Sequence, residues 1–109
     1  MFASAKTKEQ TLKSLGIDVR NIKDDDAKSR SKLKNKSGVI IKKIDPNGPM
    51  ALLGVRPGDA IVALQNTPIK NVRDFEKKLK KQINSDSKSV LLTIIDLQNS
   101  TRYIGVKIK

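Results

Sequence analysis

Asp45-Pro46-Asn47-Gly48-Pro49-Met50-Ala51-Leu52-Leu53-Gly54-Val55-Arg56-Pro57 runs into Gly58-Asp59-Ala60-Ile61, and this stretch decides the fold. It reads as a turn, one helical turn, a tight turn and a strand. Pro57 presets φ for a turn, Gly58 can supply positive φ, and Asp59 can bond the local backbone just before an apolar run begins. Upstream, residues 39–44 form a strand candidate, opened by Gly38 and ended by Asp45-Pro46. Residues 47–53 fit a brief helix with Gly54 at its C-terminal cap. Downstream, residues 60–65 are the next strand and Asn66-Thr67-Pro68 turns the chain.

Further out, Val72, Phe75, Leu79 and Ile83 recur at helical spacing, an apolar stripe on an otherwise Lys-rich helix that packs by one face. Residues 84–88 read as a polar loop, 89–96 as a mostly buried strand, 97–100 as a hairpin loop and 101–108 as a closing strand. Toward the N-terminus, Leu15, Ile17 and Val19 alternate with Gly16 and Asp18, the period of two of a short strand with one buried face. Asp24-Asp25-Asp26 ahead of Lys28, Arg30 and Lys32 complements a helix dipole, but Ala27 and Leu33 are its only apolar residues, so any helix there is short. Residues 1–13 are polar apart from Leu12 and read as a flexible lead-in, leaving 14–109 as one domain. Five strands with one long and one or two short helices give an α+β, mainly β, fold: a partly open barrel or sandwich capped by the long helix.

A chain of 109 residues buries a modest core without metal or disulfide. It has no Cys, which fits any compartment, and no segment approaches the length of a membrane span or the apolar core of a signal peptide. With no His and no Cys, Ser-His-Asp and Cys-His nucleophiles and His/Cys zinc sites are excluded. A Ser/Lys pair would need a buried Lys of depressed pKa, and none stands out among the apolar stretches. The three consecutive Asp residues lack the spacing, the Gly and the distal Glu of a Ca-binding loop, and the Gly residues make no nucleotide-binding motif. Neither a cofactor nor a metal is expected. The formal charge of +12 invites nucleic acid or acidic lipid as partner, but the basic residues are spread from Lys6 to Lys109 and only Phe2, Phe75 and Tyr103 could stack on bases.

The central stretch, with Ser37-Gly38-Val39-Ile40-Ile41 before it and Asn71-Val72-Arg73-Asp74-Phe75 after it, resembles a PDZ domain of the bacterial HtrA/Deg type. Leu15-Gly16-Ile17-Asp18-Val19 resembles that family's carboxylate-binding loop and the strand beside it, so the likeness spans roughly residues 12–109. The order of elements, with that loop first and the strand at 101–108 last, is similar to the circularly permuted bacterial form and suggests the second PDZ domain of a protease. The resemblance implies a regulatory, non-catalytic module of a periplasmic serine endoprotease acting in protein quality control, or alternatively a PDZ domain of another envelope protease or secretion protein. Its partners would be C-terminal or hydrophobic segments of misfolded or unassembled proteins, together with a protease domain and neighbouring protomers.

A Leu-Gly-Ile loop can present consecutive amides to a carboxylate, because Gly16 relaxes φ/ψ limits and carries no side chain. The strand after it can accept an extended peptide as an added strand. The same alternation also fits Leu15, Ile17 and Val19 simply filling the core with the edge covered by the lead-in. By analogy with the family the opposite wall is the helix from Asn71, with Val72, Glu76 and Leu79 toward the groove and Phe75 toward the core. Val72 would favour apolar side chains in the ligand. Lys13 is placed to add charge at the loop, or to be a solvated surface residue.

Overall fold

The structure, a computed structural model, describes residues 15–34, 37–85 and 89–107. The lead-in at residues 1–13, with Lys13, lies outside them, as do parts of the expected loops at 34–37 and 84–88. In chain order the elements are β1 (Ile17–Asn21), α1 (Asp24–Ser29), a 3-10 turn (Ser31–Leu33), β2 (Val39–Ile44), α2 (Pro49–Leu52), β3 (Ala60–Leu64), β4 (Thr67–Pro68), α3 (Val72–Ile83), β5 (Ser89–Ile95) and β6 (Thr101–Lys107).

All strands join one antiparallel sheet in the order β1-β2-β3-β5-β6, with the two-residue β4 paired to β3. The sheet is open, with β1 and β6 at its ends. A bulge between Asp18 and Val19 leaves Lys42 as the extra residue of β2. One strand more than the five expected is present, because Gln65 and Asn66 adopt φ of 52° and 64° and fold Thr67-Pro68 back onto Leu64 and Ala63. Asn at the second turn position suits a mirror-image hairpin turn, but Gln at the first hides the signal. β1 starts two residues later than Leu15, since Leu15 and Gly16 form the turn that feeds it.

Burial follows the position of each strand. β2 and β3 are central, and their runs Val39-Ile40-Ile41 and Ala60-Ile61-Val62 are buried throughout, which requires cover on both faces. On one face α3 seats Phe75 and Leu79 among Leu15, Ile17, Val19, Ile61, Leu92 and Ile104. On the other, α1 and the 3-10 turn bring Ala27 and Leu33 onto Ile40, Ala60, Val62 and Ile95. Strands nearer the ends alternate instead, as in β6, where buried Ile104 and Val106 stand between exposed neighbours.

The small α1 layer is held by charge as well as by apolar contact. Arg20 of β1 grips Asp26 with two bonds of 2.9 and 3.0 Å, and Asp26 also accepts the Lys23 amide at 2.7 Å. Arg30 is buried, and its Nη1 donates to the carbonyls of Ile95 and Asp96, both at 3.3 Å. The deciding stretch behaves as its residues demand. Gly58 takes φ of +99°, and buried Asp59 accepts the Arg56 amide at 3.0 Å while its own carbonyl takes the Ile41 amide at 2.9 Å. The turn is thereby locked onto β2.

Candidate functional site

The loop Leu15-Gly16-Ile17 is built against the turn that follows β2. Gly16 has φ of +70°, and its carbonyl accepts the Asp45 amide at 2.7 Å. A Cβ at Gly16 would stand 3.2 Å from Asp45 Cβ and 3.3 Å from Gly48 Cα, so glycine is needed for both conformation and space. An open depression beside the loop lies on the β2 side, lined by Gly16, Ile17, Asp18, Lys43, Ile44 and Asp45.

The hydrogen-bond parity of β1 follows from its two ends. The Gly16 carbonyl takes the Asp45 amide, and the Ile22 amide reaches the Gly38 carbonyl at 3.3 Å. Residues 16, 18, 20 and 22 therefore face β2 with their main chain, and alternation turns the N–H and C=O of Ile17 and Val19 to the opposite edge, while the Asn21 carbonyl accepts from Arg20 Nη1 at 3.0 Å. Among the described residues no strand pairs with that edge.

α3 is fixed beside it. Asn71 caps the helix by accepting the Asp74 amide at 2.8 Å, and Asp74 returns a bond to the Lys70 amide at 2.9 Å. The Val72 amide, one of the donors that a helix start leaves unused, goes to the Asn21 side chain of β1 at 2.8 Å. Asn21 thus ties the end of β1 to the first residue of the helix. Sequence reasoning passes over it, because the contact joins positions 51 apart and an exposed Asn at a strand end has no periodic signal.

The expected site residues fall into three groups. Leu15, Ile17 and Val19 from β1 and its loop share one core cluster with Phe75 and Leu79 of α3, at relative exposures between 0% and 7%. Phe75 points to the core as expected, and Leu79 is enclosed equally. Gly16, Val72 and Glu76 are half-buried, and Val72 packs against that cluster. Asp18 stands apart, exposed on the other face of β1 and 3.7 Å from Lys42. The structure therefore brings the two expected walls together in apolar contact and offers the main-chain edge of β1, while Asp18 contributes no side chain to that side.

The outer surface of α3 is cationic. Arg73, Lys77, Lys80 and Lys81 are exposed, and among the described residues no ion pair engages them. Lys78 instead binds Asp74 at 2.6 Å, and this bond, with that from the Lys70 amide, holds the Asp74 carboxyl below the usual carboxylate range. Asp26 is likewise held low, chiefly by the Arg20 guanidinium and further by the Lys23 amide, against the opposing effect of burial.

Residues 13–95 match the PDZ domain family. Among curated proteins, the chain is 35% identical over 72 residues to a probable periplasmic serine endoprotease DegP-like of Pseudomonas fulva, covering 66% of this chain and 14% of that protein. Among solved structures, it is similar to the HtrA3 PDZ domain bound to a phage-derived ligand (FGRWV), with a TM-score of 0.62, 19% identity and coverage of 85% of this chain and 81% of that one. The HtrA-type protease AlgW with decapeptide gives a TM-score of 0.58 at 16% identity, over 85% of this chain and 27% of that one. The chain thus spans a small part of its protease relatives.

Proposed function

The chain belongs to the PDZ domain family, and we propose that it captures extended peptide segments, preferably apolar C-termini, by adding them as a strand to the free edge of β1. The observation that carries this reading is the outward N–H and C=O parity of Ile17 and Val19 on an edge that no described strand covers. Main-chain bonds to that edge would supply affinity without regard to ligand sequence, and the Leu15-Gly16-Ile17 loop would receive the terminal carboxylate on its amides. Val72, Glu76 and Leu79 of α3 would form the second wall. Because Ile17, Val19 and Leu79 are enclosed in the ligand-free chain, an apolar ligand side chain would enter by displacing contacts between β1 and α3 rather than by filling an open cleft.

Likeness to the DegP-like endoprotease, and to two structures solved with peptide ligands, supports the same reading. In this reading the module would be part of a periplasmic serine endoprotease, where it would present misfolded or unassembled chains to a protease domain or join neighbouring protomers. An amide-resolved NMR titration tests the site. A short apolar peptide with a free carboxylate is expected to shift residues 15–19 and 72–79 saturably, and its C-terminally amidated twin to do so more weakly. No shift at these residues with either peptide overturns the reading. Shifts spread over the Lys residues and abolished by salt would instead identify a surface that adheres to acidic lipid or nucleic acid.

A further inference from the structure

The two sides of the β1 edge differ in charge. On β1 the exposed charges are neutralised within the fold, Asp18 by Lys42 and Arg20 by Asp26. On α3, Asp74 neutralises Lys78 along one flank. Successive helix residues advance by about 100°, so Arg73, Lys77 and Lys80 form a row directly beside that of Val72, Glu76 and Leu79. All three are exposed and outside any ion pair among the described residues, and Glu76 is the one carboxylate on the two rows.

A row of three like charges with a single carboxylate beside it costs the folded state through self-repulsion, and that cost is relieved by a partner of opposite sign. We infer that the ligand of this groove is an acidic peptide: an apolar C-terminal end preceded by Asp or Glu side chains that lie along Arg73, Lys77 and Lys80. The inference rests on the β1-edge reading and sets the ligand's chemistry within it. The apolar end answers to Val72 and the core behind it, the terminal carboxylate to the Gly16 loop, and the acidic residues to the row on α3. A nucleic acid or lipid surface fits less well. The row is a single line about two turns long next to a strand edge, and the aromatic rings among the described residues are Phe75, buried in the core, and Tyr103 on β6.

The test compares two peptides with the same apolar C-terminal end and free carboxylate, one with neutral residues and one with two Glu residues ahead of it. Affinities are measured by calorimetry at about 0.05 M and about 0.5 M salt. The acidic peptide is expected to bind about five- to tenfold more tightly at low salt and to lose most of that advantage at high salt. Arg73→Glu with Lys80→Glu should abolish the advantage while leaving the neutral peptide's affinity within about twofold, and Lys107→Glu on β6 should leave the advantage in place. Equal binding of the two peptides overturns the inference and leaves the groove intact. An advantage reduced equally by Lys107→Glu also overturns it, because attraction would then come from net charge alone. Binding of neither peptide overturns the groove reading itself, and this inference with it.

Discussion

A methyl group at position 16 would meet the Asp45 side chain at 3.2 Å on one side and the Gly48 backbone at 3.3 Å on the other, on a backbone already at φ of +70°. The left-handed conformation alone costs an L side chain about 1–2 kcal/mol, and the second of those neighbours is main chain that cannot swing aside. Gly16→Ala is therefore expected to lower stability by about 2 kcal/mol in chemical denaturation. It should also weaken peptide binding, because the shift must be absorbed by the loop that carries the Ile17 amide. A variant of unchanged stability would mean that the loop is looser than its bond to Asp45 indicates. Glycine at 16 was legible in the sequence as a conformational requirement. Its packing against Asp45 and Gly48 was not, since closeness across some 30 positions leaves no local trace. Asp18 shows the complementary failure. Period-two alternation alone puts it on the face opposite Ile17 and Val19, yet the likeness of the whole five-residue segment groups it with them.

At the scale of elements, α3 was the most legible piece, and the reason is physical. Its stripe of Val72, Phe75, Leu79 and Ile83 repeats at the helical period, and Asn71 and Asp74 at its start are the residue types that satisfy free amides. Elements with little apolar content, such as α1 and β4, were blurred, because they are held by Arg20, Arg30 and a two-residue turn rather than by a periodic face. α3 has two kinds of anchor that should separate experimentally. Leu79 is fully buried, and Leu79→Ala is expected to cost about 2–5 kcal/mol through lost contact and the cavity left behind. Asn21→Ala removes one exposed bond to the Val72 amide and should cost about 1 kcal/mol or less. Its larger effect is expected on hydrogen exchange in the first turn of α3, because it frees the end of the helix from the strand. If Asn21→Ala leaves exchange at Val72 and Arg73 unchanged, the strand does not hold the helix and the spacing between β1 and α3 is set by the core alone.

For the whole molecule, the formal charge of +12 means that the fold is assembled against its own electrostatic repulsion, and two of the carboxylates that offset it occupy structural positions. Asp26 joins β1 to α1 on one side of the sheet, and Asp74 binds Lys78 and the Lys70 amide at the start of α3 on the other. Both carboxyls lie below their usual range in the folded chain. A group with a depressed folded pKa binds its proton more readily when unfolded, so its stabilisation is complete above the unfolded value of about 4 and is lost as pH falls through the folded value beneath it. Acid then acts twice, removing these two attachments and increasing the positive charge they offset. Stability measured by urea denaturation is expected to be nearly flat from about pH 7 to about pH 5 and to fall steeply below about pH 4. Asp26→Asn and Asp74→Asn should each start lower at neutral pH and fall less in acid. Salt separates the two effects: near pH 3, about 0.5 M salt should restore part of the loss by screening the repulsion, but not the part due to the protonated carboxyls. Full recovery in salt would show that repulsion alone unfolds the chain in acid and that Asp26 and Asp74 hold nothing that screening cannot replace.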